Sequence, residues 1–200
     1  MREAPAPPPR ATLGRPREFD EQAVLARIME VFWVHGFAAT SMSHLVDATG
    51  IKKGSLYAAF GDKRQMYVKA LALYDREWIA RLVATLAGRG GAWQRIDRFL
   101  TTAVEDAAGC QPIKGCFLCN AAVDHALVDH EARAMVTASL GRLEKALAAV
   151  VAQLPVPAPE AAARHLMSVY FGLRVLAKAG VPQATLDDAR HRALQTVPAG

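Results

Sequence analysis

The sequence predicts an all-α protein, with a small N-terminal three-helix head containing a helix-turn-helix and a larger helical-bundle body. Three observations predict it. Apolar residues recur at helical spacing along most of the chain, glycines and prolines fall between the periodic stretches, and no segment alternates as a strand does. With 200 residues, 52% of them hydrophobic and 22% charged, the chain is long enough to bury a sizeable core and is not disordered throughout. The expected organisation is an arm over residues 1–18, a head over 19–65 and a body over 66–200.

The arm is dominated by Pro, Ala and Arg and has no apolar period, the signature of a flexible, extended segment. From Asp20, a capping residue, the stripe Val24, Ile28, Val31, Phe32 and His35 marks the first helix; Phe19 and Val24 stand at staple spacing, and Gly36 stops the helix. Thr40 or Ser41 caps a short second helix with Leu45 and Val46 inward, and Gly50 supplies its left-handed end. A third short helix is expected from about Lys53 to Phe60, with Leu56 and Phe60 inward, before a break at Gly61. Asp62 with Gln65 makes a capping-box-like start for one long fourth helix carrying Tyr67, Leu71, Tyr74, Trp78 and Leu82. After a glycine-rich loop over residues 88–91, helices are expected at about 93–108, 117–129, 131–154, 159–179 and 185–195, with Pro159 at a first helical position. There is no internal repeat.

Lys+Arg 24 against Asp+Glu 19 leaves a net charge of +5, a mild lean towards acidic partners. The surplus is not polarised along the chain, so any reading for nucleic acid rests on local clusters. No stretch approaches the roughly 18 consecutive apolar residues of a membrane span, and MREAPAPPPR lacks the apolar core of a signal peptide, which predicts a soluble cytoplasmic protein. Three cysteines are too few and too odd in number for a disulfide framework, in keeping with a reducing compartment.

The head carries the chemistry expected of a DNA-binding module. Two short helices joined by a glycine-containing turn and resting on a longer one match the helix-turn-helix plan, whose second member lies in the major groove. Lys52, Lys53, Lys63 and Arg64 set four positive charges against Asp62 alone, a local field suited to phosphates. Lys53, Gly54 and Ser55 open the recognition helix, where backbone N–H groups and the helix dipole point towards the duplex. Gly54 admits close backbone approach. Tyr57, and Thr40 or Ser41 from the preceding helix, bring hydroxyls to phosphate. By charge alone the four cations are equally well a solvated face; the agreement of caps, turn glycine, inward apolar pair and outward tyrosine favours one module. Arg15 and Arg17 in the arm are candidates for a minor-groove contact, against a merely solubilising tail.

The segment FAATSMSHLVDATGIKKGSLYAAFGDK resembles the DNA-binding segment of the tetracycline-repressor (TetR) family of bacterial transcription regulators, closely over about residues 19–66, while the helical body agrees in size and plan. The resemblance implies contacts to DNA, mostly to its backbone, from Thr40, Ser41, Lys53, Gly54, Ser55, Tyr57 and Lys63. Many members have an aromatic or His pair after the tyrosine, where this chain has Ala58 and Ala59. Those side chains touch a thymine methyl but donate no hydrogen bond, which moves base specificity towards Lys52, Lys53, Ser55 and DNA shape.

In the body, Met135, Val136, Leu140, Leu143, Leu147, Val150 and Leu154 form one wide apolar stripe, and Leu166, Met167, Tyr170, Leu173 and Leu176 another. The resemblance implies that these helices, at about 131–154 and 159–179, pair with their copies in a homodimer on a roughly palindromic operator; ordinary internal core is the alternative. Trp93, Phe99, Cys116, Phe117, Asn120, Met167, Tyr170 and Arg174 are candidates for lining an effector pocket. Cys110, Cys116 and Cys119 stand close in sequence. A Cys116 in the first turn of a helix beside Lys114 has two influences that lower a thiol pKa, with Cys119 on the same face and Cys110 on a loop, the outline of a thiol sensor; buried structural cysteines are the competing reading. A metal site needs donors beyond these, and His125 or His130 with Asp124 or Asp129 are spread around a helix, which leaves zinc or copper a minor alternative; no metal and no cofactor is expected.

The function expected is therefore a dimeric DNA-binding transcriptional regulator, a repressor released from its operator by a small-molecule effector or by thiol modification in the body. Alternatives are a thiol oxidoreductase using Cys116 and Cys119, and an effector-independent DNA-binding protein. No nucleotide loop, G-x-S-x-G or H-E-x-x-H motif accompanies the cysteines, so no enzyme activity is expected.

Overall fold

The computed structural model describes residues 19–109 and 114–198, and among them there is no strand. Asp20 starts α1 (Glu21–Ala39) by accepting the N–H groups of Gln22 and Ala23 at 2.8 and 3.3 Å. Gly36 breaks the helix, at φ 75° and ψ 175°, but a last turn resumes beyond it to Ala39. The break turns the Phe37 N–H out of the α1 ladder and leaves the Trp33 carbonyl without its usual partner. Both are satisfied from the body: Phe37 N–H donates to Asp124 Oδ2 at 2.7 Å, and Asn120 Nδ2 donates to Trp33 O at 3.4 Å. A Cβ at Gly36 would sit 2.9 Å from that same Asp124 oxygen, so glycine is required on grounds of both φ and space.

Ser41, rather than Thr40, caps α2 (Met42–Thr49), in a capping box closed by the His44 ring; Gly50 ends the helix in the left-handed region. The turn Gly50–Lys52 leads into α3 (Lys53–Phe60), whose Leu56 and Phe60 are buried. Asp62 and Gln65 complete the expected capping box at the head of α4 (Lys63–Tyr74).

The single long fourth helix is not uniform. A π turn at Asp75–Ile79 separates α4 from α5 (Ala80–Ala87), and widening there shifts the inward face, leaving Trp78 only half-buried. Asp75, in that turn, is held by α8: Ser139 Oγ donates to it at 2.6 Å, and Arg142 pairs with it. Next come α6 (Ala92–Gly109) and α7 (Phe117–Val123). The helix expected over 117–129 stops early, because Asp124 leaves helical φ/ψ to meet α1, and a 3-10 turn (His125–Leu127) follows in which His125 stacks on Phe37 with ring centroids 3.6 Å apart. Asp129 then caps α8 (His130–Val151) through the Ala132 N–H at 2.9 Å, and α9 (Pro159–Lys178) and α10 (Gln183–Leu194) complete the body.

Helix α1 packs on α4, α8 packs on α9, and α6 packs on α9 and α10. One apolar core runs from the head into the body. At the junction, Trp33 of α1 meets Tyr74, Trp78 and Phe117 in edge and stacked contacts with ring centroids 4.9–6.3 Å apart. The stripes expected to face a second subunit are largely internal: Val136, Leu143, Leu147, Val150, Leu166, Tyr170 and Leu173 are buried within the chain. Both helices must complete their own bundle before they can offer anything outside it.

The seam between head and body is also charged. Arg64 at the start of α4 grips Asp129 through Nε and, at 3.1 Å, through Nη2, and pairs with Glu131 at 3.0 Å. Asp129 is only 4% exposed, and Arg64 holds its carboxyl well below the usual range, at about 2. A carboxylate whose folded pKa is depressed stabilises fully above its unfolded value, about 3.9, and loses that contribution as pH falls through its folded one. Asp129→Asn is therefore expected to destabilise the protein by about 1–3 kcal/mol at pH 7 and to flatten the loss of stability between pH 4 and 2, both read from urea unfolding at a series of pH values.

Candidate nucleic-acid interface

The rod formed by α3 is anchored from below by Leu56 and Phe60 and presents Lys53, Gly54, Ser55, Tyr57 and Ala58 outward, with Lys52 at its entrance. Tyr57 is a large hydrophobic residue left 40% exposed, and the Lys53 ammonium lies 5.8 Å from its ring centroid. No side chain caps the start of α3. The Ser55 N–H already bonds the Lys52 carbonyl at 2.9 Å, so the first-turn amides that helix geometry leaves for an external acceptor are those of Lys53 and Gly54. A Cβ at Gly54 would meet nothing within 4 Å. The fold itself places no demand for glycine there, and its absent side chain leaves the backbone open to approach from outside.

Three sequence expectations change. Thr40 is buried and its hydroxyl donates to the Gly36 carbonyl at 2.6 Å; it finishes the kinked end of α1 and is withdrawn as a phosphate-contacting hydroxyl, while Ser41 is exposed. Arg64 belongs to the seam, so the local cationic field reduces to Lys52, Lys53 and Lys63. Lys63 is itself half-buried, its ammonium 4.4 Å from the Phe37 ring centroid, and burial lowers its pKa against the opposing pull of Asp124. Lys69, which charge counting also places in the head, donates to the Phe60 carbonyl at 3.1 Å and steadies the end of α3. Arg15 and Arg17 lie outside the described residues.

The residues expected to line one pocket are dispersed. Phe99 is fully buried and stacks on Tyr170 at 4.4 Å, and Phe117 is core. Asn120 bridges to the Trp33 and Lys114 carbonyls, and Met167 is half-buried on α9. Trp93 faces a different, open cleft of about 460 Å³ between α6 and α10, beside Asp97, Arg190 and His191. Tyr170 and Arg174 do meet, around a small cavity of about 60 Å³ shared with Tyr74, Trp78, Arg81 and Thr102.

Cys116 is 3% exposed, which keeps its thiol from a macromolecular dithiol substrate, and Cys119 is half-buried; Cys110 lies outside the described residues. Cys116 precedes α7 as its cap instead of sitting in the first turn, and Lys114 turns away to Glu30 and the Trp33 ring. Its thiol is nevertheless lowered to about 6, by the facing Cys119 thiol first and then, against burial, by the Tyr74 hydroxyl at 3.6 Å and the Arg174 charge. Cys119 is pushed up by the same contact and by burial. Sequence spacing located the cysteines but gave no sign of Tyr74, forty-two positions upstream, or of Asp124 and Asn120 as partners of α1. Among the described residues no three His, Cys, Asp or Glu side chains are grouped to hold a metal ion, and no helix is long and apolar enough to cross a membrane.

The profile for bacterial regulatory proteins of the tetR family matches residues 24–70, the span from α1 through α3 into α4. Over 73 residues the chain is 42% identical to the HTH-type transcriptional repressor ComR of Escherichia coli K12, covering 36% of this chain and 35% of that protein. Over 119 residues it is 30% identical to the HTH-type transcriptional regulator YezE of Bacillus subtilis 168, covering 60% of this chain and 61% of that one. The chain thus spans less than two thirds of the length of these curated relatives. Among solved structures, a cysteine variant of the TetR family transcriptional regulator CifR, complexed with 26-bp double-strand operator DNA, superposes with a TM-score of 0.81 at 31% identity, covering 92% of this chain and 100% of that one. The reduced form of Escherichia coli NemR shares the fold, with a TM-score of 0.80 at 18% identity. Agreement that extends from the matched head through the whole helical body leads to one conclusion: the chain belongs to the TetR family of bacterial transcription regulators.

Proposed function

We propose that the protein is a dimeric, DNA-binding transcriptional repressor of the bacterial cytoplasm, with residues 19–65 holding operator DNA and residues 66–200 forming the dimer and receiving the releasing signal. The observation that carries this reading is the outward row on α3, where Lys53, Gly54, Ser55 and Tyr57 are exposed on a helix pinned from below by Leu56 and Phe60. Lys52, Ser41 and Lys63 flank that row and bind phosphates on either side of the major groove. Lys63 does so by leaving the Phe37 ring. The operator complex of the CifR variant, a protein of the same fold and full length match, supports a duplex as the partner.

Dimerisation runs through the outer face of α9 and the neighbouring face of α8. Gly172 and Ser168 are exposed and small enough for close helix approach, and beside them Val175 and Leu176 remain 56% and 44% exposed. A two-fold pair of heads reads half-sites about 34 Å apart, or a small multiple of that. A signal that releases DNA a hundredfold must favour the released form by about 2.7 kcal/mol.

Tyr57→Phe is expected to weaken duplex binding about 2- to 10-fold, uniformly across sequences. Lys63→Ala removes one phosphate contact from each of the two heads and is expected to reduce the slope of log K against log salt by about 1.8 for the dimer, and fluorescence-anisotropy titrations over a salt series measure both. An unchanged slope removes Lys63 from the interface. Arg15 and Arg17 contribute from the minor groove, so deleting residues 2–17 lowers affinity at moderate salt; equal affinity of the shortened protein would reduce the arm to a solubilising tail.

A further inference from the structure

Gly115 and Cys116 occupy a crossing point of the fold. The Gly115 carbonyl accepts from Trp33 Nε1 of α1 at 3.2 Å and from Arg174 Nη2 of α9 at 2.7 Å. The next residue, Cys116, receives the Tyr74 hydroxyl of α4 at 3.6 Å and faces Cys119 one helical turn on. Tyr74 and Arg174 also line the cavity of about 60 Å³. Cys116 is not part of that lining; Tyr74 is the residue shared between its thiol and this small space. The π turn that begins at Asp75 sits directly beside Tyr74, and such turns are frequent at functional sites.

We propose that Cys116 and Cys119 form a reversible modification site for a small two-electron oxidant of the hydrogen peroxide class, and that closing their disulfide releases DNA. The release half rests on the proposed repressor function; the chemical half does not. The Cys116 thiolate attacks one peroxide oxygen, the O–O bond breaks, and hydroxide leaves to take up the proton given off when Cys116 ionised, leaving a sulfenic acid and water. Cys119 sulfur then attacks Cys116 sulfur, the S–O bond breaks, and the departing hydroxide takes the Cys119 proton. Two thiols are oxidised to one disulfide and one peroxide is reduced to two waters.

The acidified thiol of Cys116 and the retained proton on Cys119 assign attack to the first and resolution to the second. Cys116 is the cap of α7 and Cys119 stands in its first turn; a disulfide needs Cβ atoms about 3.5–4.5 Å apart, so closure pins the cap to that turn. That helix carries Asn120 and leads to Asp124, the two side chains that complete the broken ladder of α1. Displacing them changes how the head is held.

The test uses the full-length protein and a duplex enriched from a random-sequence pool by its reduced form. One equivalent of hydrogen peroxide is expected to yield a non-reduced peptide two hydrogens lighter that links Cys116 to Cys119, together with at least tenfold weaker duplex binding restored by dithiothreitol. Cys119→Ser is expected to stop at an adduct one oxygen heavier on Cys116. Tyr74→Phe, which keeps the ring and the packing, is expected to slow oxidation about fivefold at pH 7 and move the midpoint of its pH profile upward, a shift that loss of structure alone does not produce. A disulfide that includes Cys110, or oxidation that is as fast in Cys116→Ser, overturns the chemical half. A Cys116–Cys119 disulfide with unchanged affinity overturns the release half while leaving the repressor reading intact. Failure of the reduced protein to enrich any duplex overturns both that reading and the release half.

Discussion

The kink of α1 at Gly36 is the constraint on which the arrangement of head and body depends. An interrupted helix leaves a donor and an acceptor that water cannot reach easily, and buried backbone groups without partners cost free energy comparable to a lost hydrogen bond. Here α7 and the residue after it supply both, through Asn120 to the Trp33 carbonyl and Asp124 to the Phe37 N–H. The His125 ring on Phe37 covers the same break. The head is thus registered on the body by backbone hydrogen bonds with defined direction, which a purely apolar contact would not specify. Thr40 finishes the same segment from the other side, and its burial follows from that duty.

Charge in the head divides by geometry. Arg64 sits where α4 meets the Asp129 cap of α8, and Lys69 reaches the end of α3; both act within the fold. Lys52 and Lys53 project from the entrance of α3 into solvent. Desolvation separates the two groups: a cation already hydrogen-bonded to protein carboxylates or carbonyls has to break those bonds to meet a phosphate, whereas an exposed ammonium has only water and counterions to release. Lys63 stands between, leaning on the Phe37 ring in a partly buried site that lowers its pKa. Because Phe37 also carries the Asp124 contact, Lys63 rests against the seam.

The aromatic cluster of Trp33, Tyr74, Trp78 and Phe117 makes the junction rigid, with rings in edge and stacked pairs from α1, α4, the π turn and α7. Close packing of this kind transmits displacement instead of absorbing it. Cys116 touches Tyr74 and follows the carbonyl shared by Trp33 and Arg174, so the cluster connects it to α1 by direct contacts.

Local chemistry determined the helix starts at Asp20, Ser41, Asp62 and Pro159, the left-handed stop at Gly50, and the inward pair Leu56 and Phe60 that leaves Tyr57 outside. Each of these depends on residues within four positions of one another, where side-chain caps and helical period act without reference to the rest of the chain. Tertiary structure decided the remainder. It interrupted the helix expected over 117–129 at Asp124, inserted the π turn after Tyr74, moved Thr40 and Arg64 from the DNA face to structural duties, and turned the supposed dimer stripes of α8 and α9 inward. The physical reason is common to all four. An unsatisfied buried donor, an anchored carboxylate or an apolar stripe is resolved by whichever group the fold brings near; for Asp124, Asp75 and Arg64 that partner lies tens of residues away, and for Thr40 it is the Gly36 carbonyl exposed by the kink that the body stabilises.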